Sequence, residues 1–383
     1  MKKIYVATKI RGFLLELFND SGVEAKFIWR QGNVYETNSN LKLLLGNLVK
    51  SGLGDHLGLI QRIKVKNNTY DIAFSYNRFL NTKKKYIIYL ENPTALFHYC
   101  LKRNNTYLGR IKIQKYLSDP ALHSIICMSN ACYKTLSHFY AIPNNVNVKR
   151  IYPLVSINPH SSIEVIKLKS ARDIIKCLYI SSNFNLKGGR EIVEAFKILR
   201  KKGIKNIHLE IVTKMGTLSK QILGELDSIE GVYVNDFNYT KRELQQVYND
   251  SNILLHPTRQ DSFSLEVLEA MKAGNVILAT DLYAIPEMVT DGFNGFLTSP
   301  RYRFYNYNNL PNPEVWNNRG ETIHSDYIDV DIVDFLVKKL QFLNDDRSIL
   351  EQMAINSFRR ASGAEFSREY IINEWNSLLN QLK

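Results

Sequence analysis

Residues 252–295 read NILLHPTRQDSFSLEVLEAMKAGNVILATDLYAIPEMVTDGFNG, and the fold turns on this stretch. Residues 252–256 are a short apolar run, followed by Pro257 and a polar loop over 257–263 that contains Asp261. Apolar residues at helical spacing fill 264–273, Gly274 closes them, and 275–280 form a second apolar run. Run, loop, helix and run make a βαβ unit with strands of buried type. Ser262 and Ser264 are both N-cap residue types. The loop therefore predicts a helix N-terminus whose first backbone N–H groups lack intrahelical acceptors, an end suited to an anionic group such as a phosphate.

Two acidic residues mark the unit. Asp261 lies in the loop, and Glu269 follows eight residues later among Leu265, Leu268, Ala270 and Met271. A carboxylate on a helix that is otherwise packed needs a hydrogen-bonding partner. Ribose or sugar hydroxyls would provide one.

The stretch resembles the donor-site signature of retaining GT-B glycosyltransferases of the GT4 family. That signature runs E-G-F-G-L-x-x-L-E-A-M-A-x-G-x-P-V-I, and here it reads D-S-F-S-L-E-V-L-E-A-M-K-A-G-N-V-I. Asp261 takes the first acidic position and Glu269 the second; Ser264 stands for a Gly and Asn275 for a Pro. The family's P-E-x-V-x-x-G-x-N-G segment is present from Pro286 to Gly295. The resemblance implies an α/β protein of GT-B fold, with two Rossmann-like parallel-sheet domains facing across a cleft. It also implies a C-terminal helix that crosses back to the first domain. On that pattern residues 1–160 bind the acceptor, 161–360 bind a nucleotide sugar, and 361–383 form the returning helix.

Length and composition fit this organisation. The 383 residues suffice for two domains, and an apolar content of 45% with 23% charged residues excludes a disordered chain. No apolar run approaches the roughly 20 residues of a membrane span, and no charged-then-apolar leader precedes the first strand. A cytoplasmic enzyme is expected, or one peripheral on the inner face of the cytoplasmic membrane. Cys100, Cys127, Cys132 and Cys177 show no C-x-x-C spacing and read as buried free thiols. Charge is lopsided: residues 1–165 hold 23 Lys and Arg against 9 Asp and Glu, so the whole net charge of +13 sits in the first half. Such an excess serves either solubility, as a solvated surface, or a partner with clustered negative charge met by that half alone: an anionic membrane surface, a lipid-linked pyrophosphate or nucleic acid. Nucleic acid has the right charge, but no known binding module is present.

Taken in order, strands are expected at residues 2–8, 25–29, 70–75, 86–90 and 125–128, with a helix over 130–139. Residues 41–49 have helical spacing and run into a glycine-bearing turn over 51–58. The Gly-rich loop that often follows the first strand in the family is reduced to Arg11-Gly12. The interdomain linker is placed at 158–170. A strand over 174–181 opens the second domain, and NFNLKGGR (183–190) leads to a helix over 191–201. Residues 301–309 form a Tyr- and Asn-rich insertion, a surface loop or dimer contact, and amphipathic helices follow over 328–342, 350–361 and 366–382.

The family's G-R-L-x-x-x-K-G element places Lys187 and Gly188 on the donor diphosphate. The Arg position falls on Ser182, and Lys214 and Arg259 are the nearest cations to replace it. The amides from Ser262 through Phe263 and Ser264 to Leu265 would complete the diphosphate site. Glu269 would accept the ribose hydroxyls, and Asp261 would contact the sugar or the charge developing at its anomeric carbon. No cofactor is implied beyond the nucleotide sugar as substrate. Asp329-Val330-Asp331, the sole D-x-D, is explained by helix capping and not by a metal. For the acceptor, polar residues after two strands stand out: Asn77 and Arg78, then Glu91 and Asn92, with His98 a turn further on. Glu91 is the candidate to act as base on the acceptor hydroxyl or simply to bind it. The expected reaction is metal-independent, retaining transfer by a hexosyltransferase (EC 2.4) to a lipid-linked intermediate of a bacterial surface polysaccharide. The alternatives are an enzyme with a soluble acceptor and an inactive sugar-nucleotide or glycan binder.

Overall fold

The computed structural model describes residues 1–29, 52–65, 69–157 and 159–382. The helix expected over 41–49 lies outside them. The chain divides into two compact units: Met1–Leu154 with the segment from Arg368 onward, and Val155–Ser367.

Unit 1 is built on a parallel sheet of β1 (Lys2–Val6), β2 (Ala25–Ile28), β4 (Ile72–Tyr76), β6 (Tyr86–Leu90), β7 (Leu122–Cys127) and β8 (Asn147–Arg150). Their spatial order is β2-β1-β4-β6-β7-β8. A short parallel pair, β3 (Arg62–Lys64) and β5 (Phe79–Asn81), stands apart. β4 and β6 are buried along their whole length, as strands covered on both faces must be. Asn130–Phe139 is helical where its apolar period predicts, started by Ser129, whose hydroxyl accepts from the Cys132 amide. The Arg368–Gln381 helix belongs to this unit. Its Trp375 is fully buried against Phe74 and Tyr89, and Arg368 pairs with Asp20. β3, β5, β8 and the Tyr107–Leu117 helix carry weak patterns and were not legible in the sequence.

Unit 2 has β9 (Ile175–Ser181), β10 (Ile207–Thr213), β11 (Val232–Asp236), β12 (Ile253–His256), β13 (Val276–Thr280) and β14 (Gly295–Thr298), all parallel. Their order is β11-β10-β9-β12-β13-β14. This is the doubly wound 3-2-1-4-5-6 arrangement, which reverses direction between β9 and β12. The helix after β9, Gly189–Lys201, buries Ile192, Ala195, Phe196 and Leu199 at helical spacing against the sheet. The four cysteines are free thiols, three buried and Cys100 partly so.

Two expectations are corrected, and a third is given detail. Residues 163–170 are not linker: Ile163–Ser170 is a helix of unit 2, capped by Ser162. Lys169 pins that helix, its Nζ donating to the Ser251 carbonyl at 2.5 Å, the Ala273 carbonyl at 2.8 Å and Asn275 Oδ1 at 2.7 Å. The insertion at 301–309 is a loop with Tyr307 exposed, anchored by buried Phe304 and Tyr305, and Phe304 stacks on Trp316 at 4.2 Å. Asp329 stands at the N-cap of Val330–Asp345 but makes no side-chain cap bond. Its carboxylate accepts from the Arg301 amide instead, at 2.7 Å.

Candidate active site

In an open parallel sheet, ligands collect beyond the carboxyl ends of the strands where the strand order reverses. In unit 2 that point lies between β9 and β12, and the loops leaving both strands meet there. Gly188 makes the meeting close. It has φ +75°, and a Cβ added to it would lie 2.2 Å from the Pro257 carbonyl oxygen. The Arg259 amide donates to the Leu186 carbonyl at 3.0 Å, tying the two loops together.

On this base Lys187 reaches Asp261. Its ammonium donates to Asp261 Oδ2 and, at 3.0 Å, to the Gln260 carbonyl. His256, the last residue of β12 and only 2% exposed, brings Nε2 to 3.2 Å from the same Oδ2 and 3.0 Å from Ser264 Oγ. The Ser262 amide donates to Asp261 Oδ1 at 2.8 Å. Burial raises the pKa of the Asp261 carboxyl, but the Lys187 charge and His256 outweigh it and hold the group well below the usual carboxylate range. Asp261 is therefore ionised, and the imidazole Nε2 carries the proton that faces it.

The helix beyond runs Leu265–Lys272 and ends on Gly274 at φ +68°. Ser264 sits at its N-cap but does not cap it. Its φ of +68° is left-handed and its hydroxyl is turned to His256, so the expected Ser N-cap gives way to a buried contact. A serine occupies a conformation that suits glycine, which is the residue of the signature at this place. Phe263 is buried, and Leu265 opens the helix with the orphan donors of its first turn. Glu269 is half-buried. Tyr248, from the Lys241–Asp250 helix, donates its hydroxyl to Glu269 Oε2 at 2.8 Å. Burial, and after it the Glu269 charge, push the Tyr248 phenol well above its ordinary value, so it remains a donor.

The two cations considered for the Ser182 position are placed differently. Arg259 is 1% exposed and faces the protein interior. It donates to Glu191 Oε1 at 2.5 Å and to the Tyr327 and Ser325 carbonyls at 2.6 and 3.1 Å. Lys214 is exposed at the end of β10. Ser182 lines a cavity of about 480 Å³ together with Asn183, Asn185, Gln221 and Arg190. The sequence reading passed over four residues: His256, hidden in a strand, Tyr248 and Glu191, whose roles depend on partners far along the chain, and Arg190, one residue beyond a helix start.

In unit 1 the strand ends form a second group. Glu91, after β6, accepts from Tyr76 Oη at 2.6 Å and from Asn77 Nδ2 at 3.4 Å, and its own amide donates to Asn77 Oδ1 at 2.8 Å. Burial, then the Glu91 charge, raise the Tyr76 pKa well above the usual range. Asn92 is buried and caps the turn Pro93–Phe97, accepting from Thr94 N at 2.9 Å. Arg78 donates to the Asn77 and Ala95 carbonyls. His98 Nε2 accepts from the Gln61 amide at 3.0 Å, which fixes that nitrogen as unprotonated. Glu91 and Asn77 thus share one group, whereas Asn92, Arg78 and His98 hold the turn beside it. Asp55, beside His56, lies in a short helix, Gly52–His56, where a glycine-bearing turn was expected, and pairs with Arg103.

Residues 175–303 match the family described as Glycosyl transferases group 1. A Klebsiella pneumoniae protein described as an uncharacterized 41.2 kDa protein in cps region is 19% identical over 324 residues, 78% of this chain and 86% of that one. Among solved structures, Anabaena HepE in complex with UDP-glucose is similar at TM-score 0.63 and 15% identity over 100% of both chains. Sucrose-phosphate synthase of Thermosynechococcus elongatus gives 0.60 at 14%, covering 99% of this chain and 88% of that one. A UDP-forming trehalose-phosphate synthase of Burkholderia xenovorans gives 0.61 at 11%, covering 100% and 98%. At these identities the solved structures establish the fold. The matched residues run from β9 past β14 and contain both loops of the switch point: this part of the chain matches the glycosyl transferases group 1, and the chain has the GT-B fold of hexosyltransferase-type glycosyltransferases.

Proposed function

We propose that this enzyme moves a sugar from a nucleotide-sugar donor to a glycan acceptor carried on a lipid, an intermediate of a bacterial surface polysaccharide. The carrying observation is the Lys187–Asp261 pair at the β9/β12 switch point, beside the first turn of Leu265–Lys272. A leaving diphosphate develops negative charge. Lys187, the helix N-terminus and its amides meet that charge without a metal. Glu269, already accepting from Tyr248, takes the ribose hydroxyls, and Asp261 faces the sugar with retention at the anomeric carbon. Glu91, with Asn77, receives the acceptor hydroxyl.

The HepE structure contains UDP-glucose, which supports a nucleotide sugar as donor. The Klebsiella relative lies in a cps region, which supports a surface polysaccharide. The basic excess of residues 1–165 supports a lipid-linked acceptor at an anionic membrane surface.

The test is a donor screen with chelator present: UDP-, GDP- and dTDP-sugars, read by thermal shift and by slow donor hydrolysis. One nucleotide sugar should stabilise the protein, and Lys187→Ala and Glu269→Ala should each abolish the shift. No response to any of them overturns the donor site. Stabilisation without hydrolysis, or without transfer to extracted lipid acceptor, would instead identify an inactive binder, a reading favoured by Asp261 and Ser182 at altered signature positions. Transfer to free sugars alone would identify a soluble acceptor.

A further inference from the structure

Unit 1 carries a face that the proposed reaction does not use. The helices Leu101–Asn105 and Tyr107–Leu117 contain five basic residues, Lys102, Arg103, Arg110, Lys112 and Lys115, and no acidic one. The short helix Gly52–His56 is fastened beside them. Gly58, at φ +56°, approaches so closely that a Cβ on it would lie 2.5 Å from the Gly109 nitrogen. Asp55, the one carboxylate of this turn, is directed onto Arg103, Oδ1 to Nη2 2.7 Å. The local negative charge is thereby neutralised by a cation that is itself buried.

What remains outward is apolar and positive. Leu53 is 61% exposed, Leu57 45%, Tyr107 78%, Leu108 50% and Ile111 47%. Leu53 and Leu57 are four residues apart, and Leu108, Ile111 and Lys115 follow one another along one side of their helix. Lys102, Arg110 and Lys115 are exposed around them. Single exposed apolar residues are ordinary, but five on adjoining elements ringed by like charges mark an interaction surface.

Chemistry selects the occupant. A second copy meeting this face across a two-fold axis would set lysine against lysine. Nucleic acid would need stacking platforms, and Tyr107 alone of the five is aromatic. A bilayer suits every group: aliphatic tips enter the boundary between headgroups and acyl chains, a tyrosine sits at the interface, and Lys and Arg face anionic headgroups. We infer that the Gly52–His56 and Leu101–Leu117 helices dock unit 1 on an anionic lipid bilayer. The inference rests on the lipid-carried acceptor proposed above and names the surface that would bring the enzyme to it.

Vesicle co-flotation of the full chain tests this, with phosphatidylcholine alone and with phosphatidylcholine mixed with phosphatidylglycerol. Binding should require the anionic lipid and fall with salt. Each charge removed should weaken it roughly fivefold, so Lys112→Gln with Lys115→Gln should lose on the order of 25-fold. Leu108→Ser with Ile111→Ser should lose binding even at low salt, with the thermal midpoint unchanged. Lys338→Gln with Lys339→Gln, in unit 2, should bind like wild type. Equal flotation with neutral vesicles overturns the inference, as does wild-type binding by both surface variants. So does a change in self-association or in RNA retention as the only effect of the substitutions. The donor screen separates the two proposals: vesicle binding without any nucleotide-sugar response fails the donor site alone, and a nucleotide-sugar response without vesicle binding fails the docking face alone.

Discussion

In unit 1 the Glu91 carboxylate stands at the end of β6 and takes hydrogen bonds from two neutral groups, Tyr76 and Asn77. In unit 2 Asp261 stands beyond β12 against the Lys187 ammonium and the His256 imidazole. Both sites follow from the same architecture, a parallel sheet whose strand ends deliver polar residues to one edge. They differ in what a ligand meets. A neutral frame leaves the Glu91 charge available to a hydroxyl proton. An ionic frame holds a cation beyond the strand ends, where the proposed donor diphosphate would take it over, with His256 then left to hold Asp261 in place.

The largest effect expected concerns the buried ion pair that holds the loop of this ionic frame, Arg259 with Glu191. Arg259→Met leaves Glu191, which is fully buried, without its cation and should cost about 3–5 kcal/mol of unfolding free energy in urea titrations. Adding Glu191→Leu should restore much of it, and a single variant as stable as wild type would show that the frame is dispensable. Next comes Lys187→Ala, which should lower kcat by about 100- to 1,000-fold, the range for removing one preorganised charge-stabilising group. A change in KM alone would mean that Lys187 serves ground-state binding only.

His256→Ala removes a hydrogen bond to a charged group, so a loss of about 1.5–3 kcal/mol in transition-state stabilisation is expected. His256→Gln, which keeps an N–H donor, should recover part of kcat, whereas loss of stability without loss of kcat would assign His256 to packing. The ionic frame also predicts an acid limb. The Asp261 pKa is depressed in the folded state, so its contribution is fully present above the unfolded carboxylate value near 4 and is lost as pH falls through the folded value. Acid titration of Asp261→Asn should lack that part of the limb. The smallest effect on stability belongs to the neutral frame: Glu91→Gln still accepts from Tyr76 and should change stability by less than about 1 kcal/mol, with its effect confined to transfer to the acceptor. A larger loss would mean that the two carboxylates are held alike.

The stretch at 252–295 was legible because its information is local. Strand, loop, helix and strand follow from apolar period and turn residues, and the positions of Asp261, Lys187 and Gly188 came with the resemblance. What escaped was non-local. Ser264 reads as an N-cap by residue type, yet its left-handed φ and the His256 ring 3.0 Å away give its hydroxyl another partner. Arg259 reads as a free cation beside a donor loop, but Glu191, 68 residues earlier, claims it. Asp329 reads as a cap and is taken by the Arg301 amide.

By itself the sequence determined the βαβ unit with its acidic pair and the concentration of positive charge in the first half, and its resemblance to a family implied the two parallel sheets. Periodicity, turn residues and composition are properties of short windows, and they survive without knowledge of what packs where. Tertiary structure alone decided which charges meet. It brought Lys187 to Asp261, Arg259 to Glu191 and Asp55 to Arg103, and left Tyr107, Leu108 and Ile111 facing outward. Ion pairs and exposed faces are set by distance in space, and in unit 2 the doubly wound order of β11-β10-β9-β12-β13-β14 brings the loops that carry Lys187 and Asp261 together independently of their separation along the chain.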